Sequence, residues 1–434
     1  MDALFGQQPL LLNATDGPVH HILSGSFRSV SLFLLAFSPL RPSLSLVQSI
    51  PAFGPHQYIA LGPHAGDTRY AYTTTWAVPP KLHSWAVERG SQVRLIDSVD
   101  ITATSSYITV PPPFSHIYSA GGPSAQVHAL PPIGTPGFGP HLQEVYFVSE
   151  EKWDAADKTR KALRYGSHGI EFAYPANSLP LAFIPVLGGS TIEIYARGMD
   201  GKLTHIDSSP SPQRPDGISE EDGPRHVKVH PNERFLYCVT EHSNYLDVYT
   251  INPDGITPIL TYVASRSLIP PALRADPQNR SWRGDTLLLA PPTPQHPAPQ
   301  SIFVTTRGGE NQPSTRGWVS VFRLDNEGLF AGDIETNPYL VERYEAATGG
   351  GKAHALDIIP KQGNDDEVRD GALWVVLTDD SPPQPGVRVL EWDGWLWRGG
   401  GTRLREVVAW PPQDFEAKDG EEKMEGGSHA VWLD

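Results

Sequence analysis

The stretch GPRHVKVHPNERFLYCVTEHSNYLDVYTINPDG, residues 223–255, decides the fold. Two short runs of alternating apolar residues, Arg225–His230 and Phe235–Thr240, flank the turn signal Pro231-Asn232-Glu233-Arg234. That pattern predicts an antiparallel hairpin. Reflection about Glu233 sets Arg225 opposite Glu241, so a cation and a carboxylate arrive at one end of the hairpin. The next run, Tyr245–Ile251, supplies a third strand. The result is most of a propeller blade with charged chemistry at one rim.

Working outward, six further segments resemble that third strand: SLFLLAF from Ser31, SWAVER from Ser84, EVYFVSE from Glu144, TIEIYAR from Thr191, WVSVFRL from Trp318 and VRVLEW from Val387. Anchored on Leu32, Trp85, Val145, Ile192, Leu246, Val319 and Val387, the seven recur at intervals of 47 to 73 residues. Such spacing suits four-stranded blades with variable loops, and predicts an all-β, seven-bladed β-propeller of four-stranded antiparallel blades. The periodic Gly-His and Trp-Asp pairs of WD40 blades and the Gly-Gly period of kelch blades are both missing. The terminal run SHAVWLD (428–434) reads as a strand that pairs beside His20–Ser24, closing residues 1–434 into one domain without a free sheet edge. Residues 150–164 are charged and helix-permissive, and read as an insertion or loop.

Composition narrows the function. The 434 residues carry a formal net charge of −15, which argues against a nucleic-acid or anionic-membrane partner but leaves a small anionic substrate open. Glycine (40) and proline (43) make about a fifth of the chain, below the ~25–30% of disordered low-complexity sequences. The single cysteine, Cys238, sits mid-strand and reads as a buried core thiol. Asp2 follows the first residue with no basic leader, and the most apolar run, Ser29–Phe37, is far shorter than the ~20 residues of a membrane helix. A soluble cytoplasmic protein is the expectation; a homo-oligomer stays open.

Candidate site residues gather at strand ends. Arg283-Gly284-Asp285 opens a strand whose hairpin partner closes at Arg307, and reflection about His296 pairs Asp285 with Arg307. Gly349-Gly350-Gly351-Lys352-Ala353-His354 opens another, whose partner closes at Asp379 and Asp380, and Gly166-Ser167-His168-Gly169 opens a third. In a propeller these ends share one face. Each pair is equally well read as a cross-strand ion pair fixing register. Several such ends on one rim favour an anion site. His56 opens a strand and reads as an ordinary loop histidine. The adjacent His20 and His21 point to opposite sides and make no chelate. No HExxH, aspartate-rich calcium loop, thiolate zinc set, GxxxxGK[ST], GxGxxG or GxSxG element is present, so neither a metal nor an organic cofactor is expected.

Seven segments fall in a familiar order: PVHHILSGSF (18–27), SHGIEF (167–172), GPRHVKVHPNERFLYCVTE (223–241), LIPP (268–271) leading to RGDTLLL (283–289), FVTTRGG (303–309), LTDD (377–380) and SHAVWLD. Together they resemble the fungal 3-carboxy-cis,cis-muconate cyclases, within the seven-bladed lactonase propeller family that also holds a class of 6-phosphogluconolactonases. The resemblance implies catalytic residues at His168, Arg225, Glu241 and Arg307. Arg283, Asp285, Lys352 and His354 are expected to bind substrate. Lys352 stands where the cyclase pattern has a histidine, and His354 where it has an asparagine. The implied chemistry is a cycloisomerisation of aromatic catabolism, in which one substrate carboxylate adds to a carbon–carbon double bond and a proton goes to the neighbouring carbon. Arginines would hold the carboxylates and the developing charge, and Glu241 or His168 would donate the proton. A phosphorylated-sugar lactone hydrolase and a noncatalytic propeller are the competing readings.

Overall fold

The hairpin at 224–240 forms, but in a register shifted from the expected one. Pro224 faces Thr240 and the Glu241 amide donates to the Gly223 carbonyl, so Arg225 and Glu241 meet through their side chains rather than as opposed residues. Pro224–Val229 pairs antiparallel with Phe235–Thr240, which pairs in turn with Tyr245–Ile251 and then Leu260–Ser267. In the turn, Asn232 Oδ1 accepts the Arg234 amide at 3.0 Å. Glu233 takes a left-handed φ of 62°, a conformation costly for a non-glycine residue. Its carboxylate accepts the Tyr174 amide of the neighbouring blade at 2.7 Å, tying the turn down.

The computed structural model describes residues 17–434 except 89–91, 215–221, 254–257, 275–281, 294–295, 309–314, 362–370, 383, 396–401, 413 and 418–420. The expected start of the chain, residues 1–16, and Gly309 of the FVTTRGG motif therefore lie outside the described residues. Among the described residues twenty-eight strands form seven four-stranded antiparallel sheets, the expected propeller. The innermost strands of blades 1 to 7 are Gly427–Trp432, His56–Ala65, Ser105–Thr109, Glu171–Ala173, Pro224–Val229, Arg283–Leu289 and Leu356–Pro360. In blade 1 the inner strand comes from the C-terminal end of the chain and pairs with His20–Ser26, Ile22 opposite Trp432.

Six of the seven anchor segments are third strands of their blades. In blade 3 the segment from Glu144 lies instead on the outermost strand, His141–Tyr146, and the third strand is Ser124–Ala129. That strand, SAQVHA, lacks an apolar run. It is buried all the same: Ala125 and Val127 enter the core, and Gln126 hydrogen-bonds Thr102 and Glu144. The 150–164 segment is an insertion between blades 3 and 4, holding a short helix, Glu150–Trp153, and a 3-10 turn, Arg160–Arg164.

The hydrophobic core is not one mass but seven layers among the described residues, each between neighbouring blades. Phe183 and Ile194 of blade 4, for example, pack on Leu236, Tyr249 and Cys238 of blade 5. Cys238 is a fully buried thiol, as its sequence context indicated. Every blade thus buries both faces, which explains the near-continuous apolar runs of the middle strands.

Candidate active site

The inner strands carry a recurring irregularity that aims the site. In blades 1, 2, 3, 5 and 6 the register between the inner strand and its neighbour slips near the same rim. Such bulges re-aim side chains that strict alternation would send to opposite faces. In blade 5 the bulge falls between Pro224 and His226, so Arg225 and His226 both turn inward, with Arg225 Nη1 donating to His226 Nε2 at 3.2 Å. In blade 6 the bulge corrects the expected register. Arg307 lies opposite Arg283, not Asp285, and Asp285 is displaced toward blade 5.

That displacement assembles an ion cluster from two blades. Arg225 Nε donates to Glu241 Oε2 at 3.0 Å, and its Nη2 lies 2.7 Å from Asp285 Oδ1. Arg225 Nη1 also donates to the Asp285 carbonyl at 2.9 Å. Arg307 Nη2 donates to the other Glu241 oxygen, Oε1, at 2.9 Å, and its Nε lies 3.7 Å from Asp285 Oδ1. Glu241 is therefore clamped between two guanidinium groups. Burial pushes its carboxyl up, but Arg307 and Arg225 overcome that and hold it at about 2. Arg225 and Asp285 are enclosed, whereas the Glu241 and Arg307 side chains keep 13% and 12% of their surface in solvent. Arg283, half-buried, is close enough for its charge to be felt by both neighbours: burial lowers its pKa, Glu241 raises it and Arg307 lowers it.

His168 reaches the cluster from blade 4. Its Nε2 lies 2.8 Å from the Leu163 carbonyl, which can only accept, so Nε2 carries the proton and Nδ1 presents a lone pair. Nδ1 is buried with no partner among the described residues. Burial and the Arg225 charge push this imidazole to about 4, against the opposing pull of Glu241 and Asp285. The insertion thus orients His168 through Leu163. A cleft of about 750 Å³ nearby is lined by apolar residues such as Phe147 and Ala156 and by the charged Lys152, Asp157, Lys161 and Arg164.

The remaining expected residues are placed differently. His354 is fully buried. It meets the cluster through its backbone N–H, which donates to Asp285 Oδ2 at 2.5 Å, while its ring donates to the Thr306 carbonyl and fills space against Gly317 and Gly350. Lys352 lies at the rim 3.4 Å from Asp380, which Arg28 of blade 1 also pairs at 3.2 Å. Gly351, whose φ of 65° suits only glycine well, accepts from Arg307 Nη1 at 3.3 Å and links the two groups. His56 turns away from this rim into blade 2, its Nδ1 2.8 Å from the Gly54 carbonyl. Sequence reasoning missed His226, which the bulge turns inward; the polar residues of HVKV were its visible signal. Among the described residues no group of three or more His, Cys, Asp and Glu is arranged to hold a metal ion.

The fold and rim together define a propeller whose charged strand ends from blades 4, 5 and 6 meet on one face. The chain belongs to the lactonase family of seven-bladed β-propellers, whose family model (Lactonase, 7-bladed beta-propeller) matches residues 28–285. It is 28% identical over 365 residues to muconate cycloisomerase 1 of Cutaneotrichosporon cutaneum, covering 83% of this chain and 87% of that protein. It is 24% identical to a 6-phosphogluconolactonase of Klebsiella pneumoniae over 351 residues, 68% of this chain and 95% of that one. The solved periplasmic gluconolactonase of Pseudomonas aeruginosa superposes with a TM-score of 0.65 at 14% identity, covering 96% and 99% of the two chains, and shows the shared fold. No helix among the described residues is long and apolar enough to cross a membrane.

Proposed function

We propose that this protein is an intramolecular lyase that interconverts 3-carboxy-cis,cis-muconate and 3-carboxymuconolactone at the Glu241 rim. The observation that carries this reading is the charge at the rim: two partly exposed guanidinium groups, Arg307 and Arg283, near a carboxylate that Arg225 and Arg307 hold ionised. Similarity to the Cutaneotrichosporon muconate cycloisomerase over most of both chains supports the choice of substrate.

Arg225 has nearly all of its donors committed to Glu241, Asp285 and His226. Its role is to hold the cluster. Arg307 and Arg283, on the partly exposed edge of the cluster, grip substrate carboxylates and stabilise the enolate-like charge that develops next to the double bond. In lactone opening, His168 Nδ1 takes the proton from carbon, the C–H electron pair forms the double bond, and the lactone C–O bond breaks to release a carboxylate. Closure runs the same path backward and consumes one proton, which His168 must first take up from solvent because its imidazole, lowered to about 4, is neutral at neutral pH. Glu241, held at about 2, stays ionised at neutral pH and acts electrostatically. At about 2 it is too weak a base to take a proton from carbon, so the neutral His168 lone pair is the proton acceptor of lactone opening.

A second reading, lactone hydrolysis, is favoured by the same lone pair: a neutral His168 suits a general base that activates water. Incubation of the purified protein with 3-carboxymuconate and, separately, with 6-phosphogluconolactone distinguishes the two. Loss of the conjugated absorbance is the expected result; acid release from the sugar lactone alone would replace the cyclase reading with the hydrolase. Inactivity on both would leave the rim as a structural network.

A further inference from the structure

Beneath the rim the central channel is not open. Inner strands of four blades send in Tyr58, Tyr107, His226 and His429. Tyr58 of blade 2 stacks on His429 of blade 1 at 3.8 Å between ring centres and lies 4.3 Å from Tyr107 of blade 3. His226 of blade 5 meets Tyr58 and Tyr107 edge-on at 6.2 and 5.6 Å. Blades 2 and 5 are three apart in a ring of seven, so the Tyr58–His226 contact spans the channel. Tyr107, His429 and His226 are only 4%, 4% and 6% exposed.

Solvent returns on the other side. Two residues further along the strand from His226, Lys228 pairs with Glu171, and their side chains are 23% and 19% exposed. The Tyr107 hydroxyl donates to Glu171 at 2.8 Å and accepts from Lys228 at 3.3 Å, anchoring the aromatic layer from below. A layer of rings, three of them buried and Tyr58 partly exposed, thus lies between two layers of charge, and His226 joins its upper surface to Arg225.

We propose that this layer is the floor of the rim site. Substrate enters and product leaves by the rim mouth alone, and Tyr58, Tyr107 and His226 set the substrate's length. Compact polycarboxylates and lactones are accepted; those extended at the buried end are refused. The proposal rests on the rim being an anion site, and goes beyond it by assigning the residues that limit substrate size.

The test compares wild type with the double variant Tyr58→Ala/Tyr107→Ala, the ring-preserving Tyr58→Phe/Tyr107→Phe, and the milder Tyr58→Leu. Calorimetry measures binding of propane-1,2,3-tricarboxylate and of the elongated hexane-1,3,6-tricarboxylate; turnover of 3-carboxymuconate is followed in parallel. Wild type and the Phe variant should prefer the short anion by at least about tenfold, the scale at which a pocket rejects added methylenes. The Ala variant, or Tyr58→Leu if the Ala variant does not fold, should lose that preference by gaining the long anion. Equal binding of both anions by wild type, no binding of either, or a preference unchanged in the folded ring-deleted variants would overturn the floor. Discrimination without turnover would leave the floor standing and remove the cyclase reading; turnover without discrimination would do the reverse.

Discussion

Two ion clusters meet at blade 5, the second shared with blade 6, and they are built to opposite ends. In one, Arg214 from the loop between blades 4 and 5 bridges Asp222 and Asp247, donating to Asp222 Oδ1 at 2.9 Å and to both Asp247 oxygens at 2.8 and 2.7 Å. Its guanidinium also lies 4.4 Å from the Tyr245 ring centre. All three charged side chains are sealed, at 2%, 0% and 0% exposure. Burial pushes Asp247 up to about 6 despite Arg214. In the other, Arg225, Arg307 and Arg283 surround Glu241 and Asp285, and Glu241 is pulled down to about 2 while still touching water. The first cluster has more carboxylates than cations and no opening. The second has cations in excess and a solvent edge, which is what an anionic substrate requires. Counting ion pairs would not separate them; charge balance and access do.

The largest expected effect belongs to the sealed cluster. Arg214→Ala leaves two buried carboxylates without a cation, and should cost about 3–5 kcal/mol of stability. In a urea melt the midpoint should fall sharply, while the fraction that stays folded keeps normal turnover. A small shift would mean that the triad is less buried in solution than its geometry shows. Arg225→Lys comes next and blurs the two roles. One ammonium cannot reach Glu241 and Asp285 together, so lost charged hydrogen bonds should cost about 1.5–3 kcal/mol, and turnover should fall with them. Unchanged stability would show that Arg225 is not the holder of the cluster.

Acid sharpens the comparison further. Burial lowers His56 and His429 to about 3, and His83, His128 and His168 to about 4; His226 is lowered well below its ordinary value. Below pH 6.5 the unfolded chain takes up protons that these folded imidazoles refuse, so stability falls as pH falls until the folded pKa values are reached. At pH 5 each contributes a loss of about 2 kcal/mol relative to pH 7. Asp247 and Asp357, raised by burial to about 6, act in the opposite sense by binding protons in the folded state first. Six histidines outweigh two aspartates, so the melting temperature should drop clearly from pH 7 to pH 5. A flat profile would mean that water reaches those histidines. The smallest effect is expected at the edge of the rim: Lys352→Ala removes a pair that is over a third exposed on the lysine side, and stability should change by no more than ~0.2–1 kcal/mol.

Much of the ring was legible because the third strands are buried on both faces and so must be apolar. The exception, Ser124–Ala129, escaped because only Ala125 and Val127 of it enter the hydrophobic core, while Gln126 is buried with hydrogen bonds to Thr102 and Glu144. The gathering of Arg225, Glu241 and Arg307 was legible from hairpin symmetry. The register was not. Reflection assumes one residue opposite one residue, and a bulge breaks that rule without any composition signal, which is how Arg283 came to face Arg307 and Asp285 to face Arg225. The channel floor was hidden for a different reason: Tyr58, Tyr107, His226 and His429 lie far apart in sequence and meet only when the ring closes.

Arg307→Lys tests most directly whether the rim is chemical and the sealed triad structural. Arg307 is partly solvated and pairs with Glu241 through Nη2, so lysine can keep that ion pair while losing the planar fork that would grip a carboxylate. The measurement is kcat/KM for 3-carboxymuconate beside a urea melt of the same variant. A fall of about 10²–10³-fold, the scale of a lost oxyanion donor, with an unchanged melting midpoint is the predicted result. Wild-type turnover, or a loss of stability large enough to explain the lost activity, would contradict it.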